Sequence, residues 1–534
     1  MHANIRHGQH ALPDRLAREP AADRLKMAGM AVEVARDQPS TPFDYMFRTI
    51  VDDPANRLPQ DDTPAVIASL RALGAAMVEE QPPPAGGDSS VPPIYTYWGQ
   101  FIDHDVTLTE DLDPAVADMT DPAFVPLAPD QVVATLRNLR EPTLELDSVY
   151  EGAPRDGAAR LQVGRNATEN VPGEIPPPTD DLDRDLPRGA DKKALIGDPR
   201  NDENLIVAQF HTAFLRFHNA VVDWVTKEDA GYSDAPDPFE RARELTRWHY
   251  QWLVVHDYLE TLTRAGSVDR VLLDGPKHYV PEGRPFMPIE FSGAGFRFGH
   301  SMVRAGYDHN RNFGQGAVIA PFASLDQLFQ FTGMHANPFL GFGDTLPFNW
   351  IIEWDRFVDK GSALANRFAR RIDTRIAPPL AEMLNEGNDP ALGGAISALL
   401  KQLAQRNLLR GYLLSLPTGQ AVARAMDVRA LSEDEILQGN SDAVNQILAD
   451  NGFAGRTPLW FYLLKEAEVQ ANGNTLGEVG SRLIIHTIVG LIRHDPHSYM
   501  NQEGGWTPAQ GVRLENGDPV VTIRDFLRFA KLVA

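Results

Sequence analysis

No cysteine occurs in the 534 residues, which removes disulfide scaffolds, thiolate zinc sites, iron–sulfur clusters and any cysteine nucleophile from consideration. A metal held by this chain must therefore sit on histidine, carboxylate or other oxygen ligands. Basic charge is short as well: 50 Lys and Arg stand against 73 Asp and Glu, a formal net charge of −23. A field of that sign repels the phosphates of nucleic acids and of anionic membranes, so no nucleic-acid partner is expected. Long apolar runs are also missing. The longest, Leu483–Ile492, includes His486 and is about half the ~20 residues that span a bilayer, so no transmembrane segment is expected. Met1–Met30 carries charges and histidines without an apolar stretch of signal-peptide length. No cleavable signal is therefore expected, and the protein is read as soluble, either cytoplasmic or exported by a route without an N-terminal signal. Nothing in the sequence sets the oligomeric state.

At about 100–200 residues per domain the length alone suggests three domains, yet 42 Gly and 41 Pro gather in a few places. Residues 1–40 read as a polar N-terminal extension. Gln81–Pro93 and Pro172–Gly189 read as loops, the second one acidic. Elsewhere helical spacing prevails. Val207, Phe210, Phe214, Phe217, Val221 and Val225 recur in steps of three and four and draw one stripe on a helix. The segments 399–416, 459–469 and 479–492 behave similarly, and period-two runs are scarce. A mainly α protein with little β structure is expected, with residues 41–534 forming one large domain.

Three segments could carry chemistry. In Tyr97-Trp98-Gly99-Gln100-Phe101-Ile102-Asp103-His104-Asp105, helical spacing puts Gln100, Asp103 and His104 on one face while Asp105 points away. A polar helix end with solvated charges would show the same pattern. In Gly197-Asp198-Pro199-Arg200-Asn201-Asp202-Glu203-Asn204, Asp198-Pro199 starts a helix and Arg200 and Glu203 project together. They form either a surface ion pair or a fixed cation beside a pocket. His211, Arg216, His218 and Asn219 follow on the same helix, where hydrogen-bonded structural roles are the simpler expectation. In Phe296-Arg297-Phe298-Gly299-His300-Ser301-Met302, a single histidine lies among aromatics beside a glycine. It is either a satisfied core residue or a haem axial ligand with space for a flat macrocycle.

In this order the three segments resemble the animal-type haem peroxidases (the peroxidase–cyclooxygenase superfamily), closest to its bacterial members. The resemblance runs from Tyr97 to about Asp495 and includes Leu144-Glu145-Leu146-Asp147-Ser148-Val149-Tyr150 and Thr457-Pro458-Leu459-Trp460. It implies a large single-domain helical fold. It also implies an enzyme that uses hydrogen peroxide to oxidise small donors through a ferryl intermediate. Carried over residue by residue, His104 is the distal histidine that shuttles the peroxide proton, Arg200 the distal arginine and Gln100 a pocket hydrogen-bonder. His300 is the proximal iron ligand, with Asn407 against its second nitrogen and Arg410 on a haem propionate. Asp103 and Glu203 match carboxylates that form ester links to haem b. Asp105, Thr143, Glu145 and Asp147 match a calcium site, although the family pattern has Asp at position 145 and a hydroxyl at 147. Position 204 is Asn, where the chloride-oxidising member has a haem-bonded methionine, so bromide, iodide, thiocyanate and phenols are the expected donors.

Two other functions stay in play. Fatty-acid dioxygenases of the superfamily use a tyrosine three residues before the proximal histidine, and that position here is Arg297. A non-enzymatic haem- or calcium-binding protein would not need His104, Arg200 and His300 together. A non-haem metal bundle on His211 and His218 lacks the Glu-x-x-His pairs that such sites use. Asn166-Ala167-Thr168 fits a glycosylation pattern that also arises by chance.

Overall fold

The structure, a computed structural model, describes residues 41–80, 86–108, 118–168, 177–229, 237–317, 319–332, 345–359, 367–384, 386–388 and 393–533. The extension expected over residues 1–40 lies outside them, as do parts of both loops. Helices build the molecule, and strands contribute little. β1 (Thr41–Asp44) pairs antiparallel with β2 (Arg137–Asn138) and parallel with β3 (Met287–Pro288), with Thr41 opposite Asn138 and Phe43 opposite Met287. One hydrophobic cluster extends from Phe43 to Ala530.

Eight helices frame the site: α1 (Thr63–Ala76), α2 (Ile94–Val106), α3 (Leu205–Val225), α4 (Pro238–Leu253), α5 (Leu403–Leu413), α6 (Leu459–Ala471), α7 (Glu478–His494) and α8 (Ile523–Phe529). The helix expected to start at Asp198-Pro199 begins as a 3-10 turn, Pro199–Asp202, because the Asp198 side chain accepts from the Arg200 N–H. A second cap then starts α3, where Asn204 accepts from the Ile206 N–H at 2.9 Å.

The predicted stripe on α3 is buried throughout, but so are Gln209, His211, Thr212 and His218. The helix is therefore central, wrapped on several faces, and its polar side chains find partners inside the protein. Phe101 of α2 stacks on Phe214 of α3 with centroids 4.5 Å apart, and Phe214 meets Phe526 of α8 at 4.7 Å. Beyond α4 the chain passes into a π-helical turn, Val254–Leu259. Tyr258 on that turn lies so close to Gly99 that an added Cβ would collide with its hydroxyl, which explains the glycine between Trp98 and Gln100. No described helix is long and apolar enough to cross a membrane.

Candidate functional site

Helix α2 presents two unlike faces one residue apart. His104 is 1% exposed, and its Nδ1 lies 2.8 Å from Asn201 Oδ1. Burial first and then the Arg200 charge push its pKa down to about 4, against a smaller opposing pull from Asp198 and Asp103. The ring is therefore neutral at neutral pH. A carbonyl oxygen only accepts, so Nδ1 donates and Nε2 holds the lone pair. Gln100 and Asp103 share this face and are half-buried.

Arg200 is buried and turned to Asp198, not Glu203. Its Nε lies 3.0 Å from Asp198 Oδ1, and its Nη2 reaches Asp198 Oδ2 at 2.7 Å, the His104 carbonyl at 2.9 Å and the Thr107 carbonyl at 2.7 Å. The guanidinium thus clamps the last turn of α2. Arg140 Nη2 bonds Asp198 from the other side at 2.6 Å. Burial alone would raise the Asp198 pKa, but the two guanidiniums outweigh it and hold the group well below the usual carboxylate range. Glu203 is buried beside this turn.

His300 ends a 3-10 turn, Gly295–His300, that packs against α2 and α6. The Asn407 amide of α5 comes to its Nδ1, with Nδ2 at 2.8 Å and Oδ1 buried without a partner. Arg410 lies one helical turn further on and is buried. Trp460 donates from Nε1 to the Arg297 carbonyl at 3.0 Å and meets the His300 ring edge-on at 6.5 Å. A Cβ added at Gly299 would meet no atom within 4 Å, so open space adjoins His300 there.

Asp105, on the other face of α2, accepts from Ser148 Oγ at 2.8 Å and from the Leu146 N–H at 3.3 Å. Leu144 and Leu146 adopt positive φ values of 58° and 64°, which curls the loop Thr143–Asp147 around it. Burial and the Asp147 charge raise Asp105 to about 7, and burial and Asp105 raise Glu145 to about 7. Asp147 also rises to about 7 through burial, although Arg140 stands 3.4 Å away. The Thr143 carbonyl is taken by Gln251 Nε2 at 2.9 Å. Among the described residues no group of three His, Asp or Glu side chains is arranged to hold a metal ion.

Spacing in the sequence gives Asn201 no role and Asp198 only that of a helix start, although both sit inside a segment that it singles out. His211 is also part of the site, since its Nδ1 lies 3.0 Å from Asn201 Nδ2. His218 is structural: Tyr150 Oη and the Ala159 carbonyl take its two ring nitrogens at 3.1 and 3.0 Å. Asn219 bonds the backbone of Leu161 in both directions. Asn166 is 3% exposed, with Nδ2 on the Leu346 carbonyl, so its amide is not presented for glycosylation.

Residues 151–334 match the family model of animal haem peroxidase. The matched segment contains Arg200, Glu203 and His300, while α2 and α5 bring His104 and Asn407 to it from outside. A dual oxidase of Drosophila melanogaster is 30% identical over 112 residues, which is 21% of this chain and 7% of that relative. In fold the chain resembles peroxidase A of Dictyostelium discoideum, with a TM-score of 0.57 at 15% identity over 93% of this chain and 94% of that one. It also resembles a fatty acid alpha-dioxygenase of Arabidopsis thaliana, with a TM-score of 0.56 at 16% identity over 91% and 76%.

Proposed function

We propose that this protein is a haem peroxidase that oxidises phenols, bromide, iodide or thiocyanate with hydrogen peroxide, and that residues 41–534 act as one domain. The observation that carries this reading is the pair of buried imidazoles on packed elements. His104 is held neutral with its lone pair on Nε2, and His300 sits on a glycine turn with an asparagine at Nδ1. The donor set fits haem: the chain has no thiolate to offer, open space adjoins Gly299, and the buried Asn407 Oδ1 lacks a donor. A half-turn of that amide lets Oδ1 accept the Nδ1 proton of His300, which strengthens Nε2 as an iron ligand.

His300 would hold the iron, Arg410 a propionate, and Asp103 and Glu203 the ester links. When bound, the haem supplies the electrons that reduce peroxide and takes them back from the donor. His104 Nε2 takes the proton of the incoming peroxide and returns it to the departing oxygen. Arg200, anchored by Asp198, keeps the last turn of α2 in place and adds its charge to the burial that holds His104 neutral. Gln100 positions water or a halide on the same face.

Calcium is proposed at Asp105 with Thr143, Glu145 and Asp147. Burial and mutual repulsion raise these three carboxylates to about 7 despite Arg140, Arg243 and Arg247, and a bound cation would relieve that repulsion. The dioxygenase reading has the fold in its favour and position 297 against it. Arg297 uses its Nε on the Ser292 carbonyl, and no tyrosine precedes His300 by three residues.

The deciding experiment compares peroxide-dependent oxidation of bromide and of a phenol with oxygen uptake on an unsaturated fatty acid. Peroxidase turnover is expected; oxygen uptake without it would reverse the assignment. A Soret band that survives acid–solvent extraction is expected from the esters, and full release of haem would remove Asp103 and Glu203 from that role.

A further inference from the structure

We propose that Asn201 and His211 form a tautomer relay that keeps Nε2 of His104 unprotonated, which makes both of them positioning residues for the proton transfer. The inference rests on the peroxidase reading of His104.

An amide offers an acceptor on one side and a donor on the other, and Asn201 uses one on each histidine. Its Oδ1 stands 2.8 Å from His104 Nδ1, and its Nδ2 stands 3.0 Å from His211 Nδ1. The oxygen requires a proton on His104 Nδ1. The nitrogen requires a lone pair on His211 Nδ1, so the His211 proton lies on Nε2. A half-turn of the amide would reverse every assignment. His104 would then carry its proton on Nε2 and have no lone pair for peroxide, and His211 would carry its proton on Nδ1. The tautomers of His211 and His104 are therefore coupled through one side chain.

The surroundings hold the three side chains together away from water. His211 and Asn201 are both fully buried. Phe101 meets the His211 ring edge-on at 6.2 Å, and burial keeps His211 neutral. The Asn201 backbone is fixed in the 3-10 turn, with its N–H on the Asp198 carbonyl at 3.0 Å. A packing role would need the volume of Asn201. The relay needs its oxygen.

Cyanide association with the ferric haem-loaded protein separates these roles, because hydrogen cyanide must surrender its proton to the base before the anion binds. Three variants are compared with wild type. Asn201→Leu removes the acceptor, Asn201→Asp keeps an oxygen acceptor, and His104→Ala removes the base. Asn201→Leu should slow association about 10- to 100-fold, less than the ~10²–10⁴ expected for loss of the base itself. Its Soret wavelength and cyanide dissociation rate should stay at wild-type values, and Asn201→Asp should recover most of the association rate. Wild-type association in Asn201→Leu, with slow association in His104→Ala, would overturn the relay and leave the peroxidase reading standing. Equal slowing in the Leu and Asp variants would reduce Asn201 to packing and overturn it as well. Wild-type association in His104→Ala would overturn the His104 assignment itself. If Asn201→Leu does not fold, His211→Phe takes its place. Slowed association is then expected from an amide without its anchor, and a wild-type rate overturns the proposal.

Discussion

His104 and His300 are each met at Nδ1 by an asparagine amide at 2.8 Å, and in other respects the two surroundings differ. Around His104 lie the charges of Arg200, Asp198 and Arg140, and the ring is 1% exposed. Beside His300 lies Trp460, with open space next to Gly299, and the residue is 9% exposed. The amide turns its oxygen to one ring and its nitrogen to the other. A base needs its tautomer fixed, which the amide provides, and its charge suppressed, which burial and the Arg200 charge provide. A metal ligand needs one open approach and a partner that adjusts when the metal arrives.

The sharpest way to test this difference is to remove each ring in turn. His104→Ala should lower the rate of reaction with peroxide by about 10²–10⁴-fold and keep the haem. His300→Ala should instead change the iron ligation, seen as a shifted Soret band. Retention of wild-type peroxide kinetics in His104→Ala would erase the distinction. Next in size is the charged cage, which surrounds the His104 side. Asp198→Ala leaves the buried Arg200 guanidinium without its carboxylate, while Arg140 keeps Asp147 and Glu151, and should cost about 3–5 kcal/mol in urea unfolding. A loss below about 1 kcal/mol would mean that water or another anion already serves Arg200.

Asn407→Leu should weaken haem affinity or activity by about 10- to 100-fold through the lost support of His300. Its cyanide association rate should change less than that of Asn201→Leu. The opposite ranking would exchange the roles of the two asparagines.

Acid should act on the His104 side. With its pKa at about 4, the rate of reaction with peroxide should be flat at neutral pH and fall to half as pH drops through about 4. An acid limb at the ordinary value of about 6.5 would reveal a hydrated ring. The same depression weakens folding as pH falls from about 6.5 towards 4, because the unfolded chain takes up the proton first.

The smallest effect is expected on the other face of α2. Asp105 is raised by burial, so its contribution to stability is greatest below its unfolded pKa and is lost as pH rises through about 7. Without calcium, Asp105→Asn should therefore melt above wild type at about pH 8, and with calcium below it. The same order in both conditions would remove Asp105 from the calcium site.

Much of this is legible where neighbours in sequence are neighbours in space. The spacing of Gln100, Asp103, His104 and Asp105 by itself separates the two faces of α2, and the stripe from Val207 to Val225 marks α3. The contacts that decide the chemistry are not legible in that way. Asn201 meets His104 across 97 positions and Arg140 meets Asp198 across 58, and no local period encodes such pairs. Spacing offers Arg200 and Glu203 as a couple, but the Asp198 cap lies closer to the guanidinium and wins it. Periodicity also undersells α3: counting only apolar residues finds one face, whereas His211, Gln209 and His218 turn others inward on hydrogen bonds.

The central position of α3 also limits how this pocket can change over evolutionary time. His211 belongs to the helix that stacks on Phe101 and Phe526, so a substitution behind His104 disturbs the packing that holds the whole chain together. The half-buried Gln100 offers the position on this face where a side chain can be exchanged without moving a core aromatic. Laboratory selection for a new donor should accumulate its changes there and leave Asn201, His211 and Asp198 untouched.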